Sequence, residues 1–245
     1  MTEPQTTDTP QGRRLAFHRQ AGAGPGIVFL GGFRSDMTGS KATFLDARAR
    51  ERGRAFLRFD YSGHGASPGR FEDGTIGRWA EDARAMLDLT EGPQVLVGSS
   101  MGAWIALLIA REMPERVRAL VLVAAAPDFT EDDFWAGMSD LLKAKLKREG
   151  RVAVPSDYGD PYMVTRDLIE DGRAHLVLRE KLPLPMPVRM FWGTGDATVS
   201  EAQTLRLLRH AEAPDLVLTV AKGSDHSFSA PADLARIAAA LDEVG

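Results

Sequence analysis

The sequence predicts an α/β protein built around a mostly parallel central sheet with helices on both faces. Short apolar runs recur along the chain without the polar alternation of a half-exposed strand, and longer stretches with helical spacing separate them. Continuous apolar runs indicate strands that are buried on both faces of a sheet. Alternation of strands and helices indicates βαβ units, which make a sheet parallel.

The predicted elements follow this alternation in order. Six apolar runs are predicted as buried strands: residues 27–30, 54–60, 94–98, 117–123, 188–192 and 216–220. Residues 13–20 predict an additional edge strand. Five stretches with apolar residues at helical spacing are predicted as helices: residues 41–52, 75–90, 101–112, 200–210 and 231–244. Ser40 is the predicted N-cap of the first helix, since its hydroxyl can accept from an unpaired N–H. The third helix is apolar on nearly all sides, as a helix covered by its neighbours should be.

The chain is predicted to form one domain, residues 13–245, after a flexible and polar N-terminal segment, residues 1–12. One segment, residues 127–187, is too long for a plain connection inside a domain. It contains a predicted helical stretch, residues 132–148, and ends in a proline cluster. Because it interrupts the sheet after the carboxyl end of a strand, where open α/β sheets bind ligands, we interpret it as a lid. Extra scaffold is the alternative interpretation.

Composition excludes several classes of function. The chain of 245 residues has 30 Lys and Arg against 34 Asp and Glu, a formal charge of −4. Such a balance argues against a nucleic-acid-binding protein, which would present a basic stripe. The chain has no cysteine, so disulfides, thiolate metal sites and cysteine nucleophiles are excluded together. No metal-binding or phosphate-loop motif is found, and no cofactor is expected.

The location is predicted as cytoplasmic. Residues 1–12 lack the apolar core of a secretory signal and the arginines of a mitochondrial presequence. The apolar runs are far shorter than the roughly 20 residues of a membrane-spanning helix, so stable membrane insertion is not expected. The sequence leaves the oligomeric state open.

The strongest chemical signal is a G-x-S-x-G motif at residues 98–102. It lies between the predicted strand 94–98 and the predicted helix that begins near Met101. A serine on such a sharp strand-to-helix turn is held in strained backbone geometry, so small residues must flank it. The pattern therefore predicts Ser100 as a nucleophile. Ser99 is the competing hydroxyl, and we interpret it as structural.

A serine hydroxyl needs a general base within hydrogen-bond reach and an acid that orients that base. His226 lies in a loop after the predicted strand 216–220 and before the last helix, so we predict it as the base. Asp196 lies in a glycine-bounded turn directly after another strand and is the predicted acid. Asp225 is a rival, although neighbouring residues on one loop seldom face each other. His18, His175 and His210 are interpreted as structural or solvated.

Two backbone donors are needed to stabilise an oxyanion. The predicted donors are the N–H of Met101, next after the serine, and the N–H of Phe33, in the glycine-rich loop after the first buried strand. A turn glycine pair beside a core Phe33 is the alternative interpretation of that loop. Apolar residues of the insertion suit an acyl chain, with simple core packing as the alternative: Phe134, Trp135, Met138 and Leu142.

These motifs carry a resemblance to the α/β-hydrolase superfamily and to its fold. The order Ser100, Asp196, His226 is the one that this superfamily requires, and residues 60–67 fit its D-x-x-G-x-G-x-S stretch. The chain resembles in particular the palmitoyl-protein thioesterase and acyl-glucuronide esterase branch. The stretches that carry the closer resemblance are residues 31–42, 58–63, 97–102 and 224–226, together with residues 155–158 of the insertion.

The resemblance implies hydrolysis of acyl thioesters or of activated esters, with small-molecule or acylated substrates, by Ser100, Asp196 and His226. Two departures stand out. The acid loop, residues 193–199, lacks the histidine-glycine start and the second acidic residue usual in the branch. The targeting extension of mitochondrial members is absent, which favours a bacterial-type cytoplasmic enzyme. The alternatives are C–C bond hydrolysis by the same triad, and a binding protein with this fold and no catalysis.

Overall fold

The central sheet has the predicted parallel architecture. The computed structural model describes residues 3–154 and 161–245. The strands in these ranges are β1 (Gln5–Asp8), β2 (Arg14–Gln20), β3 (Ala23–Leu30), β4 (Arg54–Phe59), β5 (Gln94–Ser99), β6 (Val117–Val123), β7 (Arg151–Val154), β8 (Tyr162–Thr165), β9 (Leu182–Pro183), β10 (Val188–Gly193), β11 (Ala211–Glu212) and β12 (Leu216–Ala221). Eight of these described strands form one sheet in the order β1-β2-β4-β3-β5-β6-β10-β12. Neighbours from β4 to β12 are parallel, whereas β1 and β2 are antiparallel to their neighbours. The predicted α/β class with a mostly parallel sheet is confirmed.

The N-terminal segment differs from the expectation of a flexible tail over residues 1–12. Gln5–Asp8 form β1, which pairs with β2 so that Gln5 lies opposite Phe17 and Asp8 opposite Arg14. The strand predicted at residues 13–20 is therefore an inner strand of the sheet. Because an edge strand that faces water can be polar throughout, β1 lacks the apolar pattern that reveals a buried strand.

The five predicted helices are present, with ends within three residues of the prediction. The helices of the described ranges are α1 (Ser40–Glu51), α2 (Ile76–Leu87), α3 (Met101–Glu112), α4 (Asp140–Glu149), α5 (Arg166–Ala174), α6 (Glu201–His210) and α7 (Pro231–Val244). Ser40 is the first residue of α1, and Gly39, not Ser40, occupies the cap position. The hydroxyl of Thr75 does cap α2, accepting from the Arg78 N–H at 3.3 Å.

Both faces of the sheet are buried. On β5, Leu96 packs into a core formed with α2, α3 and α6, whereas its neighbours Val95 and Val97 pack into a core formed with α1 and α7. Residues 101–110 of α3 are almost entirely inaccessible to water. Burial on two faces explains why the strands read as continuous apolar runs. Among the helices of the described residues, none is long and apolar enough to span a membrane.

The segment between β6 and β10 folds into a small unit of its own. It comprises a π-helical turn (Thr130–Trp135), α4, the antiparallel pair β7–β8, α5 and β9. The single helix predicted over residues 132–148 is broken, because Ser139 starts a new helix by accepting from the Leu142 N–H at 3.3 Å. Residues 155–158, which contribute to the resemblance, lie outside the described residues.

The two ends of this insertion meet at Asp128, whose carboxylate is fully buried. It accepts hydrogen bonds from the Val177 N–H at 2.8 Å and the Leu178 N–H at 3.0 Å, and Arg179 pairs with it at 3.0 Å. Burial raises the pKa of Asp128, while the two backbone donors and Arg179 act in the opposite direction. These bonds to a buried carboxylate fasten the insertion above the carboxyl ends of β6 and β10.

Candidate active site

Ser100 lies on a strained turn between β5 and α3. Its φ is +54°, a backbone conformation that residues other than glycine rarely adopt. A Cβ atom at Gly102 would lie 2.1 Å from the Leu30 carbonyl oxygen, and one at Gly98 would lie 2.5 Å from the Ala103 Cα. The turn therefore requires glycine on both sides of the serine. The same close packing projects the Ser100 side chain beyond the end of the sheet.

The substitution Gly102→Ala is expected to lower the free energy of unfolding by about 3 kcal/mol or more, because the new methyl group meets rigid backbone. Equilibrium denaturation of the variant measures this loss. Gly137→Ala is the matched control, since nothing lies within 4 Å of a Cβ there. Unchanged stability of Gly102→Ala would contradict the packing described for the turn.

The three residues predicted to act together are adjacent in space. His226 Nε2 lies 3.1 Å from Ser100 Oγ, and His226 Nδ1 lies 2.9 Å from Asp196 Oδ2. The Asp196 carboxylate is fully buried, and its Oδ1 accepts from the Thr198 and Val199 N–H groups at 2.8 Å each. These backbone donors orient the carboxylate toward the imidazole. The arrangement supplies a hydroxyl, a base and an orienting acid in one line.

The loops that carry Asp196 and His226 pack backbone to backbone. The Gly195 N–H donates to the Ser224 carbonyl at 2.9 Å. A Cβ atom at Gly193 would lie 2.0 Å from the same oxygen, so only glycine allows this approach. The glycines that bound the turn of Asp196 thus set its distance from His226.

The rival acid and the other histidines have different partners. The Asp225 carboxylate accepts from the Phe228 N–H at 3.0 Å, within its own loop. His18 lies opposite Arg58 in the sheet, and Asp171 raises the pKa of His175. His210 contacts the Glu180 carbonyl. None of these groups takes part in the contacts that join Ser100 to His226.

His64, the fifth histidine, is buried in an aromatic cluster. Its ring lies 5.6 Å from Tyr61, 5.1 Å from Phe71 and 5.2 Å from Trp79, measured between ring centroids. Burial lowers its pKa. In the sequence, His64 stands out only as part of the stretch 60–67, whereas in the structure it belongs to the core.

A cavity of about 750 Å³ lies beside Ser100. Phe33 lines this cavity, and Met101 directly follows Ser100 in the chain. Met101 is the first residue of α3, where N–H groups have no acceptor within the helix. The loop that carries Phe33 passes so close to the serine that a Cβ atom at Gly32 would lie 3.4 Å from Ser100 Cβ. Both predicted oxyanion donors thus belong to backbone next to Ser100.

One wall of the cavity is aromatic. The Phe33 ring packs edge to face against Phe129 at 5.6 Å and Phe134 at 5.8 Å between centroids, and all three line the cavity. Edge-to-face pairs of this kind stabilise a defined arrangement of rings. Phe134 belongs to the insertion, so the insertion supplies part of the cavity wall, and its role as a lid stays a prediction.

The other three insertion residues predicted to contact substrate do not line this cavity. Met138 lies in the insertion's own small core with Leu146 and Ile169, and Trp135 and Leu142 pack against that core. The Trp135 ring is covered by cations, with the Arg173 guanidinium 4.5 Å from its centroid. Phe134 also contacts this small core, so it joins the core of the insertion to the cavity, whereas the contact of Trp135, Met138 and Leu142 with substrate stays a prediction.

Sequence reasoning missed two charged residues of the cavity. Lys41, in the first turn of α1, donates from Nζ to the Ser227 carbonyl, and burial lowers its pKa to about 8. Asp133 accepts from the Gln203 amide at 2.6 Å, and its pKa is raised by desolvation. Lysine and aspartate near the start of a helix are typical of surface residues, so no local sequence signal distinguishes these two cavity residues from residues on the surface. Among the described residues, no three acidic or histidine side chains gather to hold a metal.

A parallel sheet with a serine on a glycine-flanked turn, facing a histidine and a buried aspartate, defines an α/β hydrolase. The chain belongs to the alpha/beta hydrolase family, whose model matches residues 27–240. The predicted superfamily and fold are therefore confirmed, relatives named palmitoyl-protein thioesterase confirm the predicted branch, and the chain is an enzyme, a hydrolase, as predicted.

The individual relatives agree with this family. The chain is 34% identical to palmitoyl-protein thioesterase ABHD10 of Rattus norvegicus, over 96% of this chain and 80% of the relative. It is similar to the structure of alpha/beta hydrolase domain-containing protein 10 from mouse, with TM-score 0.91, 31% identity, and 99% and 98% of the two chains covered. A crystal structure from Agrobacterium vitis S4 superposes with TM-score 0.94 at 41% identity, over 99% and 98% of the chains.

These relatives correct the predicted location. The rat, mouse, bovine and human thioesterases carry the word mitochondrial in their names. The prediction of a cytoplasmic protein is contradicted by this finding and is wrong. It rested on the composition of residues 1–12, which describes one short segment and not the destination of a protein.

Proposed function

We propose that the enzyme hydrolyses carboxylic esters or thioesters through an acyl-enzyme formed on Ser100. The observation that carries this proposal is the continuous line of contacts from Ser100 Oγ through the His226 ring to the buried Asp196 carboxylate. Serine, histidine and aspartate in this geometry make a hydroxyl nucleophilic near neutral pH. The cavity beside Ser100 supplies space for an acyl group next to that hydroxyl.

In the first half of the proposed reaction, His226 Nε2 takes the proton of Ser100 as the oxygen attacks the acyl carbonyl. Asp196 holds the imidazole in the tautomer with its proton on Nδ1 and stabilises the imidazolium that forms. The backbone N–H groups of Phe33 and Met101 donate to the tetrahedral oxyanion. Each such donor contributes roughly 10²–10³-fold to kcat in serine hydrolases.

In the second half, collapse of the tetrahedral intermediate expels an alcohol or a thiol, which His226 protonates. Water then enters, loses a proton to His226 and attacks the acyl group on Ser100. The acid leaves and the serine regains its proton. The reaction uses only the side chains and backbone donors already described.

The aromatic wall supports an apolar acyl group as the part of the substrate next to Ser100. Phe33, Phe129 and Phe134 bury apolar surface of a ligand, and burial of each methylene stabilises a complex by about 0.8 kcal/mol. The 34% identical rat relative is named a palmitoyl-protein thioesterase, which supports a thioester of a fatty acid as a substrate class.

A matched substrate series tests the proposal. Acyl-CoA thioesters and p-nitrophenyl esters of increasing chain length are assayed with the wild-type protein and with Ser100→Ala. We expect hydrolysis by the wild type, a kcat/KM that rises with chain length, and loss of activity in the variant. A β-diketone in the same assay tests C–C hydrolysis. Absence of ester and thioester hydrolysis, or activity that survives in Ser100→Ala, would contradict the proposal.

A further inference from the structure

Lys41 is a half-buried cation that the mechanism above does not use. Its side chain extends from the first turn of α1 to the loop between β12 and α7, where Nζ donates to the carbonyl oxygen of Ser227. The Ser229 hydroxyl donates to the same oxygen at 2.9 Å. Ser227 directly follows His226, and Lys41 lines the cavity together with both residues. The amine therefore contacts the backbone that carries the proposed base.

The opposite side of this loop is fixed in the protein core. Phe228 is fully buried, with its ring 5.8 Å from the Phe191 ring, and its N–H donates to the Asp225 carbonyl at 3.1 Å. Its φ of +46° is a conformation that non-glycine residues rarely adopt. A strained turn persists only where its surroundings hold it, and Lys41 supplies a contact from the cavity side.

We propose that Lys41 is a positioning residue for the general base. Its ammonium holds the Ser227 carbonyl and so keeps the His226 imidazole where Nε2 reaches Ser100 Oγ. This role deepens the proposed function and depends on it. Lys41 touches neither Ser100 nor the His226 ring in the described contacts, so its effect is exerted through the backbone of the loop.

The charged groups around Lys41 come from three segments. Asp225 and His226 lie on the loop that it contacts, Arg34 lies on the loop before α1, and Asp133 of the insertion lines the same cavity. Desolvation lowers the pKa of Lys41 to about 8, and the charge of Asp225 acts in the opposite direction. Below that pH the ammonium makes a charge-assisted hydrogen bond, roughly twice as strong as a neutral one. Above it, the neutral amine holds the carbonyl less firmly.

The experiment compares pH profiles of kcat and KM for p-nitrophenyl acetate, from about pH 6 to about pH 10, in three variants. We expect the wild-type kcat to decrease as the pH rises through the pKa of Lys41. Lys41→Arg should restore activity near neutral pH and remove this alkaline decrease, because a guanidinium keeps its charge. Lys41→Met should lower kcat by about 10–100-fold with little change in KM. Lys222→Met, an exposed position at the start of the same loop, is the control and should behave as the wild type.

The outcomes separate this role from the proposed function. If the wild type lacks ester hydrolysis that Ser100→Ala abolishes, the proposed function fails. Two results would overturn the role of Lys41 and leave the proposed function standing. In the first, the wild type is active but its kcat does not decrease at alkaline pH. In the second, the alkaline decrease of kcat is still present in Lys41→Arg. If Lys41→Met fails to fold, the pH profile of kcat in Lys41→Arg still tests the positioning role of Lys41. A downfield imidazole N–H resonance of His226 that is lost in Lys41→Met and retained in Lys41→Arg would support positioning.

Discussion

Replacement of Ser100 by alanine is expected to lower kcat/KM for ester hydrolysis by roughly 10⁴–10⁶-fold. The variant retains the cavity and the backbone donors of the turn, so it should bind substrate while it lacks the oxygen that accepts the acyl group. Its stability should be close to that of the wild type, because the Ser100 side chain bonds only to His226 among the side-chain contacts described for it. Steady-state kinetics and a thermal denaturation curve measure the two effects.

Ser99→Ala provides the matched control for this variant. Ser99 ends β5, lines the same cavity and carries the neighbouring hydroxyl of the motif. We expect its kcat to change by less than about tenfold, since its hydroxyl has no base in line with it. Loss of activity in Ser99→Ala, together with retained activity in Ser100→Ala, would show that Ser99 and not Ser100 is the nucleophile.

Asp196→Asn is expected to lower kcat by about 10⁴-fold without loss of the fold. In the wild type, Asp196 Oδ1 accepts from the Thr198 and Val199 N–H groups. The amide oxygen of asparagine must keep these two donors, so its NH₂ group has to face His226 Nδ1. The imidazole then carries its proton on Nε2 and cannot take the proton of Ser100. Pre-steady-state acylation rates and the protonation state of His226 by NMR measure the effect.

Asp225→Asn is the control for this second variant, measured near neutral pH. The asparagine oxygen can still accept from the Phe228 N–H, which is the contact that Asp225 makes. A change of only a few-fold in kcat is expected, because this carboxyl does not orient the imidazole. A loss as large as that in Asp196→Asn would show that the acid has been assigned to the wrong loop.

The parts of the fold that the sequence predicts are those with a local cause. Strands buried on two faces are apolar at every position, as in residues 117–123, and α3 is apolar on all sides. β1 is not predicted, because an exposed edge strand has no apolar face that would indicate it. The break before α4 depends on the capping hydroxyl of Ser139, which competes with a helical pattern that continues through it.

The proposed catalytic residues are predictable for a similar reason. Ser100 lies between two glycines in a strand-to-helix context, and Asp196 and His226 each follow a strand of the same sheet, whose carboxyl ends meet at one edge. The cavity walls are different, because they depend on tertiary packing. Lys41 and its partner Ser227 are 186 positions apart in the sequence, and no pattern near residue 41 predicts their contact. The packing of Trp135 on the small core of the insertion is likewise a tertiary contact that its local sequence does not predict.

Active-site labelling with a fluorophosphonate, followed by peptide mass spectrometry, tests most directly whether His226 makes Ser100 a nucleophile. The wild type should carry one phosphonyl group, on Ser100. Labelling should be strongly slowed in His226→Ala and absent in Ser100→Ala. A label on another residue, or labelling of Ser100 at an equal rate without His226, would contradict the assignment of Ser100 as nucleophile and His226 as its base.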